Sequence, residues 1–121
     1  MASILTVDDS PSMREMVHAI LIGAGHDVVQ ANDGREALQS AQEHNDVGLV
    51  LTDLNMPHMD GITLIKELRS LPNYKYIPIL MLTTESEGHK KQQGKDAGAT
   101  GWIVKPFDPD KLLAVIEKVL G

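Results

Sequence analysis

The 121-residue chain contains no cysteine, which excludes a disulfide framework and any thiolate metal site and suits a reducing compartment. It has no run of basic residues, and its formal net charge is −6. A phosphate backbone is repelled overall, so nucleic acid is not an expected partner. No apolar stretch approaches the length of a membrane span. The opening "MASILTVDDS" reaches two acids after a few apolar residues, without the basic and long apolar regions of a secretory signal. A cytoplasmic protein with no membrane partner is therefore expected. Internal repeats, low-complexity tracts and linkers are also missing. What is present, 42% hydrophobic and 23% charged residues, is ordinary globular composition. One domain over 1–121 is expected, with a core that needs no covalent staples.

Apolar periodicity alternates between two kinds. "ILTV" (Ile4–Val7) reads as a strand. Met13, Met16, Val17, Ile20 and Leu21 then form a helical stripe, with Pro11 placed for a first turn and Gly23 and Gly25 at the end. "DVVQ" (Asp27–Gln30) is a second strand, and Asp33 with Glu36 has the spacing of a capping box opening a second helix. "LVLT" (Leu49–Thr52) and "ILML" (Ile79–Leu82) are continuously apolar, as parallel strands covered on both faces should be. A helix carrying Ile62, Ile65 and Leu68 starts near Gly61. "WIV" (Trp102–Val104) is the fifth strand, and Leu112, Val115, Ile116, Val119 and Leu120 stripe a final helix. The segment from His89 to Ala99 should be the fourth helix; it has no large apolar residue, and Gly94 inside it costs about 1 kcal/mol relative to alanine. A weakly anchored, exposed helix is expected there. The fold class is α/β: a five-stranded, doubly wound parallel sheet with five helices; alternation does not fix the strand order, and the flavodoxin-like order 2-1-3-4-5 is the natural guess for five such units.

Ligands of open parallel sheets bind outside the carboxyl ends of the strands. Strand one is followed there by Asp8 and Asp9, strand three by Asp53, strand four by Thr83 and Thr84, and strand five by Lys105 and Pro106. Strand two offers only "QAN". Taken singly, Asp8 and Asp9 could cap a helix, Asp53 could be a turn acid and Lys105 a solvated charge. Placed on one rim, three carboxylates, a hydroxyl and an ammonium make a site. Two carboxylates about 4 Å apart repel by roughly 4 kcal/mol at an effective dielectric near 20, so the cluster calls for a cation. An all-oxygen donor set with room for water suits Mg²⁺, with Mn²⁺ as a substitute. A phosphoryl group could dock there with Thr83 and Lys105 as donors, and a carboxylate beside it is a possible nucleophile.

The segments "VDDS", "LTDLNMPHMDG", "MLTTE" and "GWIVKPF", in this order and over the whole chain, resemble the receiver domain of two-component response regulators. The resemblance implies that Asp53 is the phosphoacceptor, taking its phosphoryl group from a histidine kinase. It implies that Asp9 and Asp53 hold Mg²⁺ directly with the backbone carbonyl of Asn55, while Asp8 acts through water. Thr83 matches the hydroxyl that turns toward the phosphoryl group, Lys105 the lysine that pairs with it, and the Lys105–Pro106 bond is expected to be cis. Asn55 and Glu85 occupy positions that tune the lifetime of the phosphorylated state. Trp102 stands where many members carry Tyr or Phe that swings inward as the threonine moves; the larger indole departs from that pattern.

"GWIVKPF" and "TTES" look most like the single-domain chemotaxis receivers, whose effector would be a flagellar motor switch protein, with a phosphatase as a further possible partner. The alternatives are a phosphate sink or a regulator without a motor target. A turnover phosphatase of the haloacid dehalogenase type uses Asp-x-Asp, and the second position here is Asn55, an amide that cannot shuttle the proton. An FMN carrier would place its phosphate where Asp8 and Asp9 repel it. No enzymatic activity beyond its own phosphorylation and dephosphorylation is expected. The five histidines, His18, His26, His44, His58 and His89, show no ligand pairing and are assigned no role.

Overall fold

In a computed structural model, which describes residues 3–84 and 88–121, strands and helices alternate along the chain. They are β1 (Ser3–Val7), α1 (Pro11–Gly23), β2 (Asp27–Ala31), α2 (Gly34–Glu43), β3 (Val47–Asp53), α3 (Gly61–Arg69), β4 (Ile79–Thr84), α4 (Gly88–Ala97), β5 (Gly101–Lys105) and α5 (Pro109–Leu120). A short 3₁₀ turn, Pro72–Tyr74, precedes β4. The strands form one parallel sheet in the order β2-β1-β3-β4-β5, as expected. Among the described residues, no helix is long and apolar enough to cross a membrane.

The strand alternation of period two divides the core into two layers. Leu5, Val7, Val50, Ile79 and Met81 face α2 and α3, whose contributions include Ala37, Ala41, Leu64, Ile65 and Leu68. Ile4, Leu49, Leu51, Leu80, Leu82 and Ile103 face α1 and α5, which contribute Val17, Leu21, Leu112 and Ile116. Burying each of these larger aliphatic side chains is worth about 1.5–3 kcal/mol, and β3 and β4 are the strands buried most continuously.

Helix starts follow local chemistry. Ser10, Asp33, Asp60 and Asp108 each accept from the backbone N–H three residues on, capping α1, α2, α3 and α5. The box at α2 is displaced by one residue: Glu36 Oε1 accepts from the N–H of Asn32, not from that of Asp33. Strand β3 begins two residues earlier than its apolar run and ends on Asp53 itself.

α4 is anchored differently from the expected weak helix. Its buried residue is Gly94, and a Cβ there would overlap the Met81 Sδ and Cε atoms of β4. The absent side chain is what lets the helix lie against the sheet. Its C-terminal end is fastened by Arg69, whose Nε and Nη2 donate to the carbonyl of Gly98 at 3.0 and 2.7 Å. The same guanidinium reaches the carbonyls of Tyr74 (2.8 Å) and Ile77 (2.6 Å). Gly98 holds φ +117°, a left-handed value that favours glycine. Gly94→Ala should therefore lower the melting temperature, although helix propensity alone predicts a gain of about 1 kcal/mol. In a Met81→Ala background the same substitution should become stabilising. Thermal melts of the four proteins of that cycle check both signs, and a stabilised Gly94→Ala single variant would contradict the packing.

Candidate functional site

Register brings the acids together. Val7 at the end of β1 lies beside Thr52 of β3, so Asp8 and Asp53, each one residue further on, leave adjacent strands side by side. Asp8 is 3% exposed and Asp53 7%, while Asp9 is exposed. One carboxylate oxygen from each of the three lies within 4.8 Å of the others. Lys105, the last residue of β5, reaches across and donates to Asp53 Oδ1 at 3.0 Å. The same oxygen accepts from the Leu54 N–H at 2.9 Å, so Oδ2 receives neither bond.

Asp8 is the uncomfortable member. Its Oδ1 accepts from Ser10 N–H at 3.0 Å, but its buried Oδ2 has no hydrogen-bond partner among the described residues. Burial above all, and then repulsion by Asp53 and Asp9, hold its carboxyl above the usual carboxylate range, against the opposing pull of Ser10 N–H and Lys105. Arg14 Nη1 donates to the Asp8 carbonyl at 2.7 Å and steadies the backbone there. A buried carboxylate oxygen without a donor, flanked by two further carboxylates, is a donor set short of positive charge. Hard oxygen ligands of this kind fit Mg²⁺.

Thr83 is fully buried near the end of β4, and its hydroxyl also lacks a partner among the described residues. The sheet register sets it one step beyond Leu82, which pairs with Asp53, and next to Val104 of β5. Asn55 lies on the exposed loop after β3, with Oδ1 accepting from Lys90 Nζ at 2.9 Å. The Lys105–Pro106 peptide is cis. Trp102 is away from this rim: 43% exposed on β5, it lies under the Lys91 ammonium, 5.4 Å from the ring centroid. Glu85 lies outside the described residues.

Arg14, Gly61 and Lys90 are among the contributors not singled out from the sequence. Gly61 opens α3 so close to β3 that a Cβ would overlap the Asp53 carbonyl oxygen. Lys90 comes from 35 positions away. Gly61 had a partial signal, as the residue after a helix-capping aspartate; Lys90 had none.

Residues 4–117 match the model of the response regulator receiver domain, and the chain belongs to that family. It is a signalling protein rather than an enzyme, and Asp8, Asp9 and Asp53 are the acidic triad typical of the Mg²⁺ site in receiver domains. The chain is 40% identical over 119 residues to a chemotaxis protein CheY homolog of Campylobacter jejuni, covering 98% of this chain and 92% of that one. It is also 40% identical to chemotaxis protein CheY1 of Helicobacter pylori, with 98% and 96% covered. The structure of CheY4 of Vibrio cholerae superposes with a TM-score of 0.93 at 50% identity over 98% of both chains. A receiver domain of the sensor histidine kinase PA1611 from Pseudomonas aeruginosa, solved with magnesium in its active-site cleft, matches at TM-score 0.91 and 28% identity, covering 99% of this chain and 98% of that one.

Proposed function

We propose that Asp53 is the phosphoacceptor of this receiver, and that the phosphorylated chain signals by changed binding to a partner. The single observation that carries the reading is the Asp53 carboxylate at the end of a rigid central strand, oriented through Oδ1 by Leu54 N–H and Lys105 Nζ. Oδ2 is then the available nucleophile. Its lone pair forms the new O–P bond as the P–N bond of a kinase phosphohistidine breaks, and the electron pair returns to the imidazole nitrogen, which is reprotonated. Asp9, Asp53 and the Asn55 carbonyl would hold Mg²⁺ directly, and Asp8 through water. When bound, Mg²⁺ supplies the positive charge that lets a phosphoryl dianion approach three acids.

Lys105 keeps its ammonium at the carboxylate during transfer and compensates charge on the phosphoryl oxygens. The Thr83 hydroxyl, without a partner among the described residues, gains one in those oxygens, and Trp102 on the neighbouring strand reports that movement to the surface. CheY-type relatives support a chemotaxis role in the cytoplasm, with a flagellar motor switch protein as effector. A phosphatase that shortens the signal would be a further partner.

Intact mass after incubation with acetyl phosphate tests the reading. One labile phosphoryl adduct should form in the presence of Mg²⁺, vanish on chelation and be missing from Asp53→Asn. An adduct of equal yield in Asp53→Asn would remove Asp53 from its role. Phosphorylation-dependent capture of a motor switch protein separates the effector reading from a phosphate sink, which captures nothing.

A further inference from the structure

Lys90, in the early part of α4, donates from Nζ to Asn55 Oδ1 at 2.9 Å. An ammonium only donates, so the contact turns the amide oxygen toward α4. Asn55 lies two residues beyond Asp53, on the loop that borders the acids. The other fastenings of α4 described above, Gly94 against Met81 and Arg69 on the Gly98 carbonyl, hold its C-terminal half. At the opposite end, Lys90 makes a side-chain hydrogen bond to the loop after β3, and its neighbour Lys91 lies on Trp102.

Charge gives this contact a second use. A phosphoryl group brings about 1.5–2 negative charges at neutral pH, where the Asp53 carboxylate carried one. Lys105 is already paired with Asp53. The rim therefore needs one more cation when phosphorylated, and Lys90 is an ammonium already moored at its edge.

We propose that Lys90 is a positioning residue for the phosphoryl group, held at the rim by Asn55 and facing the added charge from that seat, so that it prolongs the life of the aspartyl phosphate and ties the N-terminal end of α4 to the state of Asp53. This rests on Asp53 being the phosphoacceptor. In hydrolysis a water oxygen forms a bond to phosphorus while the P–O bond to Asp53 breaks. The electron pair returns to the carboxylate, and the proton of the water leaves to solvent. In a loose transition state the phosphoryl oxygens lose negative charge and the carboxylate gains it. A cation facing the phosphoryl oxygens consequently stabilises the aspartyl phosphate more than its transition state. Removing that cation speeds hydrolysis.

The test loads each protein with acetyl phosphate and Mg²⁺, removes the donor and follows adduct loss by intact mass. Lys90→Met should lose its phosphoryl group about three- to tenfold faster than wild type, the size of one partly exposed charged hydrogen bond. Lys90→Arg should restore most of the lifetime, and Lys91→Met should leave it unchanged. In an Asn55→Ala background the effect of Lys90→Met should shrink below about twofold, since the mooring is already gone. The melting temperature of unphosphorylated Lys90→Met should match wild type, which a merely structural role would not give. An unchanged lifetime in Lys90→Met, failure of arginine to restore it, or an undiminished effect without Asn55 would each overturn the proposal. Absence of any adduct on the wild type would instead overturn the reading of Asp53, and this proposal with it.

Discussion

Gly61→Ala should destabilise the protein by about 3 kcal/mol or more and slow acetyl phosphate-driven modification of Asp53 roughly tenfold. Alanine at the first turn of a helix is ordinarily favoured over glycine by up to about 1 kcal/mol. Here the added carbon meets backbone on the other side: the Asp53 carbonyl oxygen, the Leu54 Cα at 2.9 Å, and the tip of the Leu54 side chain at 3.0 Å. Backbone in a central strand paired on both edges cannot step aside as a flexible side chain would, so the cost exceeds the usual 1–3 kcal/mol of overpacking. The Gly61 N–H also donates to the Leu54 carbonyl at 2.9 Å, a bond that any recoil of α3 would stretch. Because a displacement of about 1 Å at a reacting group can cost on the order of 100-fold, even partial relief should show in the rate. Thermal melts and single-turnover adduct formation check this beside Gly23→Ala, where nothing lies within 4 Å. Equal behaviour of the two variants would refute the close approach.

Asp8→Asn should act in the opposite direction without metal, raising the melting temperature by about 3–6 °C at neutral pH. Burial holds the Asp8 carboxyl above its ordinary range in the folded protein. The folded state then binds this proton more tightly than the unfolded chain does. Stability falls as pH rises through the window between the ordinary value of 3.8 and the higher folded one. Above that window the whole penalty is present, and asparagine removes it. The amide keeps an oxygen for Ser10 N–H, and its NH₂ can donate to the neighbouring carboxylates where Oδ2 had no donor. The benefit should reverse when millimolar Mg²⁺ is added. A ligand at about 100 times its dissociation constant stabilises by about 2.7 kcal/mol; the wild type should gain that protection and Asp8→Asn should lose most of it. Melts with Mg²⁺ and with chelator decide the matter, and an Asp8→Asn protein less stable than wild type in chelator would contradict the strained triad.

The acids were legible because three strand ends that carry charge share one rim, although each charge taken singly has an ordinary explanation. Strand order came with the family resemblance, since alternation alone does not choose it. Which acid is strained was not legible. From spacing, Asp8, Asp9 and Asp53 are equivalent members of a cluster, and the fold separates them by giving Asp53 Lys105 and Leu54 N–H while leaving Asp8 Oδ2 without a donor. The packing of α4 was hidden for a different reason. Periodicity counts side chains, and the contact that seats this helix is made by the residue that has none. His58 shows the same blindness to long-range pairing: given no role from the sequence, it bonds through Nδ1 to Asp33 Oδ2 at 3.0 Å, on the residue that caps α2. That contact joins the loop after β3 to a helix 25 positions earlier.

Trp102 is the single tryptophan of the chain, and the ammonium above its ring comes from α4 while the indole itself is fixed to β5. Its fluorescence is therefore an optical ruler for one pair of elements, with no second indole to blur it. The bulky residue that departs from the aromatic usual at this position gives the protein an intrinsic dye at the seam between helix and sheet, readable without attaching a label.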